Sequence, residues 1–361
     1  MKTLFVGDIC ATAPTRDHFA CGNTAALFND TVSLFNESEF TFANIECAIT
    51  EHDVPIKKFG PNLKAPLKTA EVLKDLNVTV AGLSNNHVFD FGKQGALDTI
   101  NTLAAAGIGY TGFGDNYEDS RRNFVFEKNG EKICVIAVCE REYSYALEDR
   151  MGSRPFDEFD TIEDIREAKN TADRVVVAYH GGKELCEYPS PRLMRVCRAM
   201  ARAGADLILT QHSHCIGTYE KYNGSHILYG QGNFNFVNLY DLEMWKTGLA
   251  VKYDTTANEV EFVPIRVNDG GIRLAVGEDK DEILRAFAER SKTIANGKWR
   301  EGWHKFCVDN SELYIGRIKA ACVDGASERD NAMFAHNLDC EAHTDVWREL
   351  FPTYNQTNEK D

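Results

Sequence analysis

Six short apolar segments of this chain end in residues that can bind metal ions or move protons. Segments rich in β-branched and aliphatic residues are typical of buried strands, and in α/β proteins ligands gather outside the carboxyl ends of strands. The six junctions are residues 4–6 before Gly7-Asp8, 40–43 before Asn44-Ile45-Glu46, 78–83 before Ser84-Asn85-Asn86-His87, 175–179 before His180-Gly181-Gly182, 207–210 before Gln211-His212-Ser213-His214, and 226–229 before Gly230-Gln231-Gly232-Asn233. Carboxylate, amide and imidazole groups placed repeatedly at strand ends predict one metal centre built from many segments.

Each junction taken alone has an ordinary explanation. A single His after a strand is more often a hydrogen-bonded polar residue than a ligand, and Gly-Asp and Asn-Asn pairs are typical of turns. His212 and His214 can share one metal site, but two such residues often do not. The recurrence of the pattern, and no single motif, therefore favours an enzyme with a metal centre.

Composition limits the classes of partner. The chain has 361 residues, of which 43% are hydrophobic and 26% charged, as in ordinary soluble globular proteins. Its formal net charge of −15 argues against binding to nucleic acid or to an anionic membrane surface. Bound cations can invert the local field, so we expect an anionic small-molecule or polymer substrate.

Cysteine usage and the start of the chain predict a cytoplasmic protein. The first strand begins near Lys2 without a signal-peptide pattern. No stretch approaches the roughly 20 apolar residues of a membrane helix, so membrane insertion is not expected. The eleven cysteines are odd in number and lack a C-x-x-C motif, which indicates reduced thiols rather than a disulfide framework or a zinc ribbon.

Strand and helix patterns alternate along most of the chain and predict a mixed sheet covered by helices. Asn129-Gly130 and Asn223-Gly224 are typical hairpin turns, and Gly107 and Gly204 close helical patterns. Helices are predicted at 23–35, 67–76, 94–106, 160–172 and 190–203, and paired strands at 122–127 with 132–138, 218–222 with 226–229, and 247–254 with 258–266.

The pattern changes near residue 268. Asp269-Gly270-Gly271 interrupts it, residues 279–295 and 331–350 are each predicted to form a helix, and 303–321 is ambiguous. The polar residues 352–361 are expected to be frayed. We therefore divide the chain into residues 1–270, which carry the strand-end motifs, and a mainly helical extension at 271–361.

In chain order, the motifs resemble those of the CapA family of capsule and poly-γ-glutamate biosynthesis proteins, which is related to calcineurin-like metallophosphoesterases. The resemblance covers about residues 2–268 and also includes Asp90-Phe91-Gly92, Glu184 and Gly204-Ala205-Asp206. It implies a four-layered α/β/β/α sandwich of the metallophosphoesterase type with a helical C-terminal addition. It also implies a role in capsule or poly-γ-glutamate metabolism.

The resemblance implies specific roles for the motif residues. Glu46 would bridge two divalent cations, Asp8 and His214 would hold one cation, and Asn86, His180 and His212 would hold the other. His87 would protonate a leaving group. Asp90 is close enough in sequence to orient either the loop of Asn86 or His87 itself. The residues expected to support ligands or contact substrate are Asn44, Asn85, Glu184 and Asn233.

One or two cations are expected, with Zn, Mn or Fe favoured over Mg. A pair of such ions about 3.5–4 Å apart lowers the pKa of bound water and clamps the oxygens of a displacement reaction. Phosphoesterases carry a metal-binding His where this chain has Cys10. Cys10 could be a thiolate ligand or a small buried hydrophobe; we favour the second, so the cation site of Asp8 is expected to be weak or empty. Glu46 replaces the usual Asp, and its longer side chain changes the geometry of the bridge.

Other polar residues have weaker patterns. His18, His52, His226, His304, His336 and His343 lack a strand-end position and are expected on the surface or on helices. Glu341-x-His343-x-Asp345 is interpreted as a solvated helix face. Lys57, Lys58, Lys64 and Lys68 form either a basic rim for an anionic substrate or an ordinary solvated charged segment.

The sequence thus supports two functions of different classes. The first is a metal-dependent hydrolase-like protein whose metal-activated water acts on a phosphoester or γ-glutamyl-type bond. The alternative is a non-catalytic, metal-containing binding or scaffolding subunit in capsular polymer biosynthesis. A protein without metal would leave the clustered His and carboxylate residues unexplained.

Overall fold

The computed structural model of the chain describes residues 1–237, 239–268 and 270–353. Within these residues the strands are β1 (Lys2–Ile9), β2 (Phe40–Ile45), β3 (Ala48–Ile49), β4 (Lys64–Ala65), β5 (Val80–Gly82), β6 (Gly109–Thr111), β7 (Phe113–Gly114), β8 (Phe124–Lys128), β9 (Glu131–Cys139), β10 (Gly152–Ser153), β11 (Arg174–His180), β12 (Leu207–Gln211), β13 (Ile216–Tyr222), β14 (Ser225–Gln231), β15 (Thr247–Asp254), β16 (Glu259–Asn268) and β17 (Gly271–Leu274).

The α-helices alternate with these strands and then follow them. In the same described residues they are α1 (Arg16–Cys21), α2 (Thr24–Phe28), α3 (Val32–Asn36), α4 (Thr69–Asp75), α5 (Gly92–Ala106), α6 (Tyr117–Ser120), α7 (Glu158–Thr171), α8 (Pro191–Ala203), α9 (Gly277–Asn296), α10 (Trp299–Asp309), α11 (Ser311–Ala321), α12 (Glu328–Asp339) and α13 (Glu341–Leu350). None of them is both long enough and apolar enough to cross a membrane.

Two large mixed sheets form the centre of the described structure. The seven-stranded sheet has the order β17-β16-β15-β1-β2-β5-β6, and the six-stranded sheet has the order β13-β14-β12-β11-β9-β8. Strands β1, β2, β5 and β6 run parallel, as do β9, β11, β12 and β14. Parallel strands place their carboxyl ends at the same edge of a sheet, which is where the polar junction residues lie.

The two sheets pack face to face. Phe42 and Val80 of the first sheet share one apolar cluster with Val176 and Leu209 of the second. On the outer face of the second sheet, helices α7 and α8 cover a separate apolar cluster. Helices α1 to α5 cover the outer face of the first sheet. The predicted four-layered α/β/β/α sandwich with its helical C-terminal addition is confirmed.

Local signals identified several elements correctly. Helix α5 ends at Gly107, which adopts a left-handed φ of 80°. Asn129 and Gly130, at φ 56° and 80°, form the turn between antiparallel β8 and β9. The single helix predicted over 23–35 is wrong, because Asn29, at φ 44°, ends α2 and begins a 3-10 turn that leads into α3.

The C-terminal region differs from the prediction in two places. Residues from Gly271 first form β17, which pairs with β16 in the main sheet, so the helices begin at Gly277. Asp269 of the predicted interruption lies outside the described residues, as do 354–361 of the predicted frayed end. The ambiguous segment 303–321 lies in α10 and α11.

The single helix predicted over 331–350 is wrong, because Cys340 is extended, at φ −72° and ψ 127°, and separates α12 from α13. The division of the chain into two domains at residue 270 stays a prediction.

Candidate metal centre

The strand ends of both sheets bring the predicted ligands together. Asp8 lies in β1, Glu46 follows β2, and Asn86 follows β5, all from the first sheet. His180 ends β11, and His212 and His214 follow β12, all from the second sheet. The side chains of these residues are all buried.

Backbone geometry at these junctions is specialised. A Cβ atom on Gly7 would lie 2.6 Å from the Gly232 carbonyl oxygen, so only glycine permits this approach of the two sheets beside Asp8. His212 and His214 adopt positive φ angles of 78° and 52°. Such angles are unfavourable for residues with a Cβ and concentrate at functional sites. The sheets thus hold strained backbone where the His side chains converge.

Five of the predicted residues supply two overlapping groups of potential ligand atoms. Glu46, His180 and His212 form one group, and Asp8, Glu46 and His214 form the other; within each group the ligand atoms lie within 4.8 Å of one another. Glu46 belongs to both groups. This arrangement matches the predicted pair of cation sites joined by one carboxylate, while the role of each residue as a ligand stays a prediction.

Glu46 gives the strongest indication that a cation fits. Apart from the neighbouring Asp8 carboxyl, both of its carboxylate oxygens are buried without a hydrogen-bond partner in the described residues. Burial raises the pKa of Glu46 to about 8, and burial together with Glu46 raises the pKa of Asp8 to about 6. Two buried carboxylates that share a site cannot both be charged without a compensating cation. The donor set therefore fits divalent cations.

Asn86 and His180 direct their ligand atoms to the same place. Asn86 Oδ1 lies 3.0 Å from His180 Nε2, and His180 Nε2 lies 3.4 Å from Glu46 Oε1. Burial lowers the pKa of His180 to about 3, so this imidazole is neutral, the form that binds metals.

His212 faces carboxylates on one side of its ring. Its Nε2 lies 3.2 Å from Glu142 Oε1, whereas its Nδ1 is buried without a hydrogen-bond partner in the described residues. Burial opposes the charged form, but Glu142 and other carboxylates nearby outweigh it and raise the pKa of His212 to about 10. A cation at this place would therefore displace a proton.

His214 is oriented by Asn233. Asn233 Nδ2 donates to the Trp245 carbonyl oxygen at 3.1 Å, which leaves its Oδ1 to accept from His214 Nδ1 at 2.9 Å. His214 Nε2 is then free, and it lies 3.8 Å from Glu46 Oε1. The Trp245 ring lies against the imidazole, with ring centroids 4.3 Å apart. Burial lowers the pKa of His214 to about 4.

Asn44 contacts two of the candidate ligands, and Asn85 forms a hydrogen bond with Asn44. Asn44 Nδ2 donates to Asp8 Oδ1 at 2.7 Å and lies 3.2 Å from His180 Nδ1. Asn85 Nδ2 donates to Asn44 Oδ1 at 3.2 Å and to the Ile45 carbonyl oxygen at 2.8 Å. These amides are held by neighbouring protein groups, which suits them to positioning Asp8 and His180.

The side chains of His87 and Asp90 are in contact, while their catalytic roles stay a prediction. His87 Nδ1 lies 2.7 Å from Asp90 Oδ2, and the buried Lys58 ammonium lies 3.1 Å from the same nitrogen and forms an ion pair with Asp90. Burial and the Lys58 charge lower the pKa of His87.

The four lysines predicted to act together have different surroundings. Lys58 is neither a rim residue nor solvated, because its side chain is only 2% exposed. Lys57 and Lys68 are exposed, and Lys64 pairs with Asp53.

Two other residues considered in the sequence analysis, Glu184 and Cys10, differ in exposure. Glu184 has a side chain that is 48% exposed and pairs with Lys183 at 3.3 Å. Cys10 is buried, and burial beside Cys47 raises the pKa of its thiol well above the usual range. Among the described residues, Cys10 belongs to neither ligand group, which agrees with the interpretation as a buried hydrophobe.

The expectation that 341–345 is a solvated helix face is wrong. Glu341 accepts from the Arg141 backbone N–H at 2.8 Å, the hydroxyl of Tyr314 lies 2.6 Å from His343 Nδ1, and Asp345 accepts from Arg192 at 2.9 Å. Packing against the sandwich buries this face of α13. His226 likewise is not a surface or helix residue: it is buried in β14, between Tyr219 and Asn258.

Glu140 and Glu142 were missed, although the sequence contained a signal for them. The apolar residues of β9 end at Cys139 directly before Glu140-Arg141-Glu142. This is a further strand end followed by carboxylates, next to β11 in the second sheet. Both residues therefore fit the pattern of an apolar strand followed by polar residues that identified the six other junctions.

Comparison with known proteins identifies a family for most of the chain. The model of the family described as "Bacterial capsule synthesis protein PGA_cap" matches residues 2–238, a range that contains all the predicted site residues. The chain is 32% identical over 241 residues to the PGA biosynthesis protein CapA of Bacillus subtilis (strain 168), covering 65% of this chain and 63% of that protein. It is 28% identical over 294 residues to the capsule biosynthesis protein CapA of Bacillus anthracis, covering 78% and 71%.

A solved structure of a hypothetical protein from Thermus thermophilus matches with a TM-score of 0.45 and 14% identity, covering 73% of this chain and 98% of that one. Similarity at this level supports no conclusion about function. The chain belongs to the bacterial capsule synthesis protein PGA_cap family, and the resemblance to the CapA family is confirmed. The match spans 63% of the length of the B. subtilis relative.

Proposed function

We propose that the protein is a metal-dependent hydrolase-like enzyme of capsule or poly-γ-glutamate metabolism, acting on a phosphoester or γ-glutamyl-type bond. The observation that carries the proposal is Glu46, whose buried carboxylate belongs to both ligand groups and, apart from the Asp8 carboxyl, lacks a hydrogen-bond partner in the described residues. A bound pair of divalent cations would supply an activated water and neutralise developing charge. Zn, Mn or Fe suits imidazole and carboxylate donors.

In this proposal the residues of the chain hold the cations and deliver a proton. Asp8, His214 and Glu46 would hold one cation, and Glu46, Asn86, His180 and His212 the other. His87 would protonate the leaving group from Nε2, because Asp90 and Lys58 occupy its Nδ1.

The surroundings of the site support an anionic substrate. A cavity of about 600 Å³ is lined by two cationic residues, Lys57 and Arg150, and one carboxylate, Asp339, together with Tyr143 and His336. It adjoins Lys58, whose ammonium lies 5.8 Å from the centre of the Tyr143 ring. The free state of all eleven cysteines supports a reducing compartment, and we propose the cytoplasm.

The test compares His87→Ala with His212→Ala in purified, metal-analysed protein. His87→Ala is expected to lose about 10²–10⁴-fold in turnover while keeping its metal, whereas His212→Ala should lose both metal and turnover. Substrates with good leaving groups, which need little protonation, should partly rescue His87→Ala and leave His212→Ala inactive.

Absence of turnover in the metal-loaded wild type would favour the alternative function. If metal-loaded wild type turns over no phosphoester or γ-glutamyl substrate, the binding or scaffolding subunit becomes the better account. In that case His87 would serve to hold the Asn86 loop, and His87→Ala should lower the melting temperature instead.

A further inference from the structure

Glu142 contacts two candidate ligands of the same cation site with its two oxygens. Its Oε2 accepts from Asn86 Nδ2 at 2.9 Å, and its Oε1 lies 3.2 Å from His212 Nε2. The side chain is 9% exposed, so water competes little for these contacts. One carboxylate thus joins ligands that come from different sheets.

These contacts decide which atoms remain available to a cation. A carboxylate at one nitrogen of an imidazole fixes the tautomer and directs the other nitrogen to the metal. With Nε2 facing Glu142, the buried Nδ1 of His212 is the free nitrogen. With its Nδ2 on Glu142, Asn86 presents Oδ1, which lies 3.0 Å from His180 Nε2.

We infer that Glu142 is a positioning residue for the cation site of Glu46, Asn86, His180 and His212, and that helices α12 and α13 hold it in place. The inference rests on the metal centre of the proposed function. Among the described residues, Glu142 belongs to neither group of converging ligand atoms, which favours a role behind the ligands over direct coordination.

The C-terminal helices hold the segment from Glu140 to Tyr143 at several points. Cys340 Sγ donates to Glu142 Oε1 at 3.4 Å, and the Ala342 N–H donates to Glu140 Oε2 at 3.1 Å. Further along, the His336 ring stacks on Tyr143, with centroids 5.1 Å apart. Helices α12 and α13 lie beyond residue 238, where the family match ends. The C-terminal addition therefore has a specific role, which is to hold the segment from Glu140 to Tyr143 beside the site.

The test measures the affinity of each cation site in the full chain. Metal-free wild type and Glu142→Gln are titrated with Mn²⁺ by calorimetry, because Gln can accept only one of the two hydrogen bonds. We expect one site to weaken by about 10–100-fold and the other to stay unchanged. Glu341→Gln is the matched control: it removes a neighbouring carboxylate but keeps an oxygen for the Arg141 N–H, so both affinities should stay as in wild type.

Several results would overturn the inference. These are unchanged affinities in Glu142→Gln, equal weakening of both sites, or a Glu142 oxygen coordinating zinc in a crystal structure of zinc-loaded wild type. If Glu142→Gln fails to fold, that crystal structure still decides between positioning and coordination. Wild type that binds no cation would overturn the proposed function as well. Wild type that binds cations but hydrolyses nothing would overturn only the hydrolase proposal, because the affinities of Glu142→Gln would still be decisive.

Discussion

In the metal-free protein, ionisation of the buried Glu46 carboxyl group is energetically unfavourable. An ionised carboxylate buried without donors costs several kcal/mol, and burial raises the pKa of Glu46 to about 8 for this reason. The same lack of donors makes its oxygens available to a cation. Stability and metal binding therefore make opposite demands on this residue.

Glu46→Gln should separate the effect of Glu46 on the stability of the metal-free protein from its effect on metal binding. The metal-free variant is expected to be at least as stable as metal-free wild type, because the neutral amide is less costly to bury. Added Zn²⁺ or Mn²⁺ should stabilise wild type by about 2.7 kcal/mol at 100 times the Kd and the variant by far less. Thermal unfolding of both proteins with chelator and with metal measures this. A variant that is less stable than wild type in chelator yet responds fully to metal would contradict the bridging role.

Among elements, α8 joins the sandwich to α13 through one buried arginine. Arg192 forms ion pairs with Glu140 and, at 2.9 Å, with Asp345 of α13. Ser190, the N-cap of α8, also donates to Asp345 at 2.6 Å. Because both carboxylates are buried, their charges depend on this contact.

Arg192→Ala is expected to destabilise the protein by about 3–5 kcal/mol, the usual cost of leaving a buried charge unpaired. Arg195→Ala, on the exposed side of the same helix, should change stability by about 0.5 kcal/mol or less. Chemical denaturation measures both variants. Similar losses in the two would show that the contact of Arg192 contributes little.

Elements defined by local sequence were predictable, and those defined by tertiary contacts were not. Glycine fixed the end of α5 at Gly107, and Asn129-Gly130 fixed a hairpin, because these conformations depend on neighbouring residues alone. The break at Cys340 has no glycine or proline; it places α13 against the segment of Glu140, a contact invisible in sequence.

In the candidate site, too, features set by regular strand geometry were predictable and those set by tertiary contacts were not. Asp8, His180 and His212 could be predicted because parallel strands align their ends. The contact of Lys58 with Asp90 could not, because it depends on how a long loop folds back over the site.

At the scale of the whole molecule, we expect stability to depend on pH through Glu341, the first residue of α13. Burial and the nearby Glu140 carboxylate raise the pKa of Glu341 to about 7, above the ordinary value near 4.5. The protonated acid is thus favoured in the folded state. The stability it contributes is fully present below about pH 4.5 and is lost as the pH rises through about 7.

Glu341→Gln should remove this part of the pH dependence. The variant and wild type are expected to have equal stability near pH 4.5, and the variant should become more stable above pH 7, because each pKa unit corresponds to about 1.4 kcal/mol. Denaturant unfolding from pH 4.5 to 8.5, in chelator, measures the difference between the two proteins. A difference that shrinks as the pH rises would contradict the assignment.

The order of strands in the first sheet also determines when the candidate ligands can come together during synthesis of the chain. Strand β1, which carries Asp8, lies between β2 and β15, and β15 extends to Asp254. Asp8 and Glu46 therefore leave the ribosome long before His180, His212 and His214 exist, and the segment of Glu142 waits for α13, which ends at Leu350. If the protein binds metal as proposed, a nascent chain that has not reached His214 lacks part of the ligand set, so the cations would be fully held only after that part of the chain has been synthesised.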